Sequence, residues 1–169
     1  MAKITYLLGA GASYYSCPIL EKQAEMMIKV AKHEIKDFHD GIKFTQPKFN
    51  IEEKAKIPTD DKTQILWHIG YFGKKAQEYN TIDTYARKLF LNNEINELRL
   101  LKMSVSVFFD LWENFYFDGI GFPDTSDYVK IDNRYKSLFS VLLDNVAGEI
   151  KLNDEFKFIS WNYDLQLEE

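Results

Sequence analysis

The sequence predicts an α/β domain in which two short parallel strands, one near each end of the chain, are separated by a long helical stretch. Three observations carry this expectation. An apolar, partly β-branched run over residues 3 to 8 stops at the small-residue turn Gly9-Ala10-Gly11-Ala12-Ser13. Apolar residues then recur at spacings of three and four through the middle of the chain, the period of a helix that buries one stripe. A second apolar run over residues 155 to 161 ends in Asn162-Tyr163-Asp164. The composition fits one domain: 169 residues, 46% hydrophobic and 28% charged, with only 4 prolines and 8 glycines. Disorder, collagen and a membrane bundle are excluded on that ground.

The first run reads as a buried strand entering a tight turn. The signal-peptide alternative, with Lys3, the run Ile4 to Leu8 and the Ala10-Gly11-Ala12 triplet, has a single charge ahead of its apolar stretch and is set aside. A helix is expected next, with Pro18 in its first turn and Leu20, Ala24, Met27, Ala31, Ile35 and Phe38 on its apolar face. From Asp40 to Lys62 the period dissolves among Gly41, Pro47, Pro58 and scattered charge, the pattern of a surface excursion. Residues 65 to 79 are expected to be helical but interrupted at Gly70 and Gly73. One longer helical region follows between Asp83 and Phe117, its stripe formed by Ile95, Leu98, Leu101, Val105, Phe108, Trp112 and Phe115. Gly119, Gly121 and Pro123 end it. Tyr135, Leu138, Phe139, Leu142, Leu143 and Val146 predict another helix, capped by Asn133 and closed at Gly148. The helical insertion is thus expected over about 62–148, and no internal repeat is present.

Charge narrows the function classes. The net charge is -5, with 21 Lys+Arg against 26 Asp+Glu, and the only adjacent basic pairs are Lys74-Lys75 and Arg87-Lys88. A duplex binder needs a basic stripe that neutralises several phosphates, so nucleic acid is not expected as a partner. The single cysteine, Cys17, rules out an internal disulfide and a four-cysteine zinc site and suits a reducing cytoplasm. No run of about 18 apolar residues exists to cross a membrane.

Two motifs can carry chemistry. Glycines in the turn Gly9-Ala10-Gly11-Ala12-Ser13 let the backbone approach a ligand, and a helix start beside them would offer N–H groups to phosphate. The same turn also serves as a ligand-free connection, and Tyr14 stands where a dinucleotide fingerprint needs its third glycine. Asn162 and Asp164 sit at the carboxyl end of the second strand, the edge at which parallel α/β sheets bind ligands. An amide there can serve sugar hydroxyls and a carboxylate can accept from a carboxamide, although Asn or Asp after a strand is equally a helix cap. His33, His39 and His68 read as surface or packing residues. The pairs Glu52-Glu53, Asp60-Asp61 and Glu168-Glu169 read as solvated charge and the aromatic stretch 108 to 117 as core, so no metal is expected.

Taken together, Tyr6-Leu7-Leu8-Gly9-Ala10-Gly11-Ala12-Ser13, Ile82-Asp83-Thr84-Tyr85-Ala86-Arg87-Lys88 and Ile159-Ser160-Trp161-Asn162-Tyr163-Asp164 resemble the sirtuin-like domains of bacterial antiphage defence proteins. The resemblance implies a Rossmann-like (sirtuin/DHS-type) parallel sheet with a large helical insertion between its first two strands, forming one domain over 1–169. It implies NAD+ as ligand and substrate, with Gly9, Ala10, Gly11, Ala12 and Ser13 at the phosphates, Asn162 at the ribose and Asp164 at the nicotinamide. The implied activity is NAD+ hydrolysis releasing nicotinamide or, in deacetylating members, NAD-dependent deacylation, with Asn162 and Asp164 as the catalytic pair.

Departures refine that expectation. The zinc module of deacetylating members is missing, and Cys17-Pro18-Ile19-Leu20 stands where their Pro-Asp-Phe-Arg signature would be, which favours the hydrolase branch. The family's catalytic histidine lies beyond the Asn-x-Asp strand, and nothing after Asp164 supplies one. This stretch is therefore expected to be an N-terminal portion, incomplete in its sheet and inactive by itself. Alternatives are a non-catalytic module sensing NAD or ADP-ribose and a helical oligomerisation module. Two strands alone leave unpaired edges, so self-association, or association with a C-terminal or partner domain, is expected.

Overall fold

The structure is a computed structural model that describes residues 3–18, 21–32, 50–51, 54–116, 131–153 and 155–160. It is mixed α/β, mostly helical, with a two-stranded parallel sheet and a separate two-stranded antiparallel sheet. The chain divides into two compact units, Met1–Cys17 with Ser126–Glu169, and Pro18–Thr125.

The first unit contains β1 (Ile4–Leu8), a 3-10 turn (Ala10–Ser13), α5 (Asn133–Leu142), β2 (Leu143–Val146), β3 (Glu149–Leu152) and β4 (Phe156–Ser160); the second contains α1 (Glu21–Lys32), α2 (Asp61–Glu78), α3 (Ile82–Leu91) and α4 (Ile95–Tyr116). Strands β1 and β4 pair in parallel, Ile4 opposite Phe156 through Leu8 opposite Ser160, as the two apolar runs predict. Alternation along the pleat sets Tyr6, Phe156 and Phe158 on one face, where the Tyr6 and Phe158 rings stack at 5.4 Å and Phe139 of α5 meets Phe158 at 5.4 Å.

In the helical unit α1 buries Ala24, Met27 and Ala31 as expected; the predicted continuation through Ile35 and Phe38 falls outside the described residues, as does Leu20. The predicted interruption of the next helix does not occur. Helix α2 runs unbroken through Gly70 and Gly73 because both glycines sit where α1 crosses it: a Cβ on Gly70 would lie 2.8 Å from the Ala31 Cβ, and one on Gly73 2.9 Å from the Ala24 carbonyl oxygen. Close approach of the two backbones offsets the helix propensity that glycine lacks. The expected excursion before α2 also contributes more than surface. Ile51 is buried against Gly70, the Trp67 Nε1–H donates to the Asn50 carbonyl at 3.0 Å, and Asp60 caps α2 by accepting from the Thr63 N–H at 2.9 Å.

The single helical region expected between Asp83 and Phe117 is two helices. Asn93, with φ of 59°, closes α3 in the left-handed region that asparagine tolerates, while Thr81 caps its start on the Thr84 N–H. Leu101, Val105, Phe108 and Trp112 of α4 are buried as the spacing predicts; Leu98 is half-buried and Ile95 exposed.

The largest correction concerns the end of the insertion. Helix α5 stops at Leu142, and Leu143 and Val146 belong to strand β2 of a hairpin with β3. Ala147 (φ 57°) and Gly148 (φ 88°) form the two-residue turn, which the Asn145 side chain closes by accepting from the Gly148 N–H at 3.0 Å. Gly148 thus has the positive φ expected of it, but as a hairpin residue. Asp132, not Asn133, caps α5, accepting from the Arg134 N–H at 2.9 Å. The insertion between the two parallel strands therefore ends in β structure, not in helix.

Candidate functional site

The parallel register sets the ends of the two strands that precede the sequence motifs side by side. Because Leu8 lies opposite Ser160, the carboxyl ends of β1 and β4 share one edge, and both the glycine turn and the segment leading to Asn162 and Asp164 depart from it. Asn162 and Asp164 themselves lie outside the described residues, as do Tyr163, His33 and His39.

At that edge Gly9 is extended (φ −117°, ψ 177°) and caps a 3-10 turn over Ala10–Ser13, in which the Ala12 N–H donates to the Gly9 carbonyl at 2.8 Å. The expected helix does not follow directly; α1 starts at Glu21. Any anion here would meet the N–H groups of the turn itself, without the dipole of a long helix behind them. No side chain caps the turn. Gly11 is exposed, has no left-handed φ, and a Cβ built on it meets nothing within 4 Å among the described residues. Neither backbone conformation nor packing against described residues requires glycine at this position. Ser13 is fully buried, with its Oγ 3.5 Å from the Tyr135 hydroxyl, and its carbonyl accepts from the Ser16 and Cys17 N–H groups at 3.1 and 2.9 Å. With no surface exposed, Ser13 presents neither its hydroxyl nor its backbone to solvent.

Behind the turn stands a group the sequence reading missed. Asp132 is completely buried, and its Oδ2 accepts from the Tyr15 N–H at 2.8 Å and from Arg134 Nη2 at 2.7 Å, its Oδ1 from Arg134 Nε at 3.0 Å. Burial pushes the Asp132 carboxyl up, but the Arg134 side chain and the two backbone N–H groups outweigh it and hold the carboxyl below the usual range; Arg134 is raised in return. The half-exposed Arg134 guanidinium lies 5.1 Å from the Tyr15 ring centroid and 6.0 Å from that of Tyr14. An Asp two residues before an Arg at a helix start is a legible cap signal, but its partner Tyr15 lies 117 positions away in sequence.

A second polar cluster lies within the helical unit. Glu97 Oε1 accepts from the Tyr85 hydroxyl at 2.9 Å and the Tyr71 hydroxyl at 3.3 Å, and Oε2 pairs with Lys54 Nζ at 2.7 Å. Burial raises the Glu97 carboxyl, yet Lys54 and the two phenols pull it below its ordinary value, and Tyr85 is pushed far up by burial and by the carboxylate it donates to. His68, buried beside Trp67, has its Nδ1 2.9 Å from the Gln64 carbonyl and is lowered by burial, a packing histidine as expected. A cleft of about 530 Å³ in the same unit is lined by Ile51, Tyr71, Lys74, Lys75, Gln77 and Glu78, none of them a predicted site residue.

Among the described residues no group of His, Cys, Asp and Glu is arranged to hold a metal ion, and no helix is long and apolar enough to cross a membrane. Compared with protein families, with curated proteins and with solved structures, the chain matches none.

Proposed function

We propose that the chain binds NAD+ at the carboxyl edge of the β1–β4 pair, in a Rossmann-like, sirtuin-type setting, as the nucleotide-binding part of an NAD+ hydrolase. The register carries the reading: Leu8 opposite Ser160 starts the glycine turn and the Asn162/Asp164 segment from one edge, where parallel sheets receive ligands. The exposure of Gly11 supports it, since a glycine required by neither φ nor packing against the described residues suits close approach of a pyrophosphate.

In this reading the turn over residues 9–13 holds the phosphates through the backbone N–H groups at its start, ahead of the Ala12 N–H that closes the turn on the Gly9 carbonyl, Asn162 orients the ribose hydroxyls and the attacking water, and Asp164 accepts from the carboxamide. Nicotinamide leaves as a neutral ring, so the chain need not supply a strong acid. Its task is to fix sugar and water in reacting geometry, which can supply several kcal/mol of a barrier. Depletion of NAD+ during phage infection is the biological role the resemblance suggests.

The test is a thermal-shift titration of NAD+ against the chain and its Asn162→Ala variant, with nicotinamide release followed in parallel. Saturation at about 100 times Kd adds about 2.7 kcal/mol, and the reading requires that Asn162→Ala lose most of it. An equal shift in both proteins would move the ligand away from this edge.

A further inference from the structure

The hairpin offers a strand edge that is unpaired among the described residues and whose sequence is complementary to itself. In a two-residue hairpin the residues flanking the loop, Val146 and Glu149, form a hydrogen-bonded pair, and the pairing alternates from there. The N–H and C=O groups of Glu149 and Lys151 therefore face β2, and those of Ile150 and Leu152 point outward. Among the described residues no strand pairs with that outer edge. Every residue of β2 and β3 is exposed, Ile150 at 72%, and Leu143, Ile150 and Leu152 share one face of the hairpin. A lone hairpin with an uncovered apolar face is marginally stable, whereas three or more strands sustain one another.

We infer that β3 pairs antiparallel with β3 of a second copy of this chain about a two-fold axis at Ile150. Opposed residues in an antiparallel ladder must both face inward or both outward, so the axis passes beside a residue and not between two. Axes at Glu149 or Lys151 would oppose like charges. An axis at Ile150 sets each Glu149 opposite the other copy's Lys151, and makes the two Ile150 residues the pair that exchanges both N–H···O=C bonds. Within one copy Lys151 Nζ already lies 2.7 Å from Glu149 Oε2, and both side chains are well exposed, so the dimer would gather four charges of alternating sign. The product is a four-stranded antiparallel sheet, β2-β3-β3-β2, with Leu143, Ile150 and Leu152 of each copy on one face. The interface requires no nucleotide and is independent of the proposed function.

Sedimentation velocity on the chain from about 10 µM to 1 mM, a range suited to a small interface, tests the pairing by charge exchange. The wild type should dimerise. Glu149→Lys and Lys151→Glu should each raise the dimer Kd about tenfold or more, since two attractive pairs become two repulsive ones. The double variant Glu149→Lys/Lys151→Glu should dimerise like the wild type, and an equimolar mixture of the two single variants should form heterodimers. Because both side chains are exposed, the circular dichroism of all four proteins should coincide. A wild type that stays monomeric over the range, or with its Ile150 amide covered by its own chain, overturns the proposal. So do single variants that dimerise unchanged and a double variant that does not recover.

Discussion

Replacing Asp132 with asparagine isolates the contact that ties the loop after the glycine turn to the start of α5. With the amide oxygen at the Oδ1 position, the bonds from the Arg134 N–H and Nε survive; the amide nitrogen then faces the Tyr15 N–H and Arg134 Nη2, donors against a donor. Arg134 is half-exposed and rehydrates at little cost. Tyr15 leaves a part-buried N–H without its acceptor, a loss of about 1–3 kcal/mol, and the charge-assisted strength of the remaining bonds falls as well. The sum is about 2–3 kcal/mol, or roughly 4–12 °C in Tm for a chain of this size. The carboxyl is held below its unfolded value, so its stabilisation is complete above about pH 4 and is lost as pH falls through the folded pKa. The gap between wild type and Asp132→Asn should accordingly narrow on acidification below about pH 4. Thermal unfolding followed by circular dichroism at pH 7 and then at successively lower pH reads both effects. An Asp132→Asn protein that melts within about 1 °C of wild type at pH 7 would refute the reasoning.

Substitutions at two further positions probe the helical unit. Gly73→Ala should destabilise by about 1–3 kcal/mol in urea unfolding, because the 2.9 Å approach to the Ala24 carbonyl oxygen is to backbone and outweighs the gain of about 1 kcal/mol in helix propensity; a neutral or stabilising result would mean that α1 and α2 do not cross there. Glu97→Gln should cost under about 1 kcal/mol, since an amide oxygen can still accept from both tyrosines and the Lys54 partner is mostly exposed. Glu97→Ala, which strands two phenol hydroxyls, should cost about 2–3 kcal/mol, and equal losses in the two variants would contradict this division.

What the sequence made legible follows the range of the interactions involved. The run at Ile4 to Leu8, the stripe at Leu101, Val105, Phe108 and Trp112, and the second strand are set by local period, and each forms where the period says. Gly70 and Gly73 were misread because their reason is contact with Ala24 and Ala31 on another helix, which no local pattern contains. Leu143 and Val146 were misread because a spacing of three suits a helix as well as it suits the ends of a short strand, and only the paired positive φ values at Ala147 and Gly148 decide between them. Of the candidate site, the strand ends and the glycine turn could be found locally. The Asp132 anchor could not, since nothing near Tyr15 in the sequence announces its acceptor.

The central claim is that NAD+ lies over the glycine turn, and Gly11→Leu tests it most directly. Gly11 is exposed and a Cβ on it meets nothing within 4 Å among the described residues, so the variant should melt close to the wild-type temperature without ligand. At about 100 times the wild-type Kd, NAD+ should raise the wild-type Tm by roughly 5–11 °C and leave Gly11→Leu where it was. A shift of equal size in both proteins, or none in either, would contradict the account.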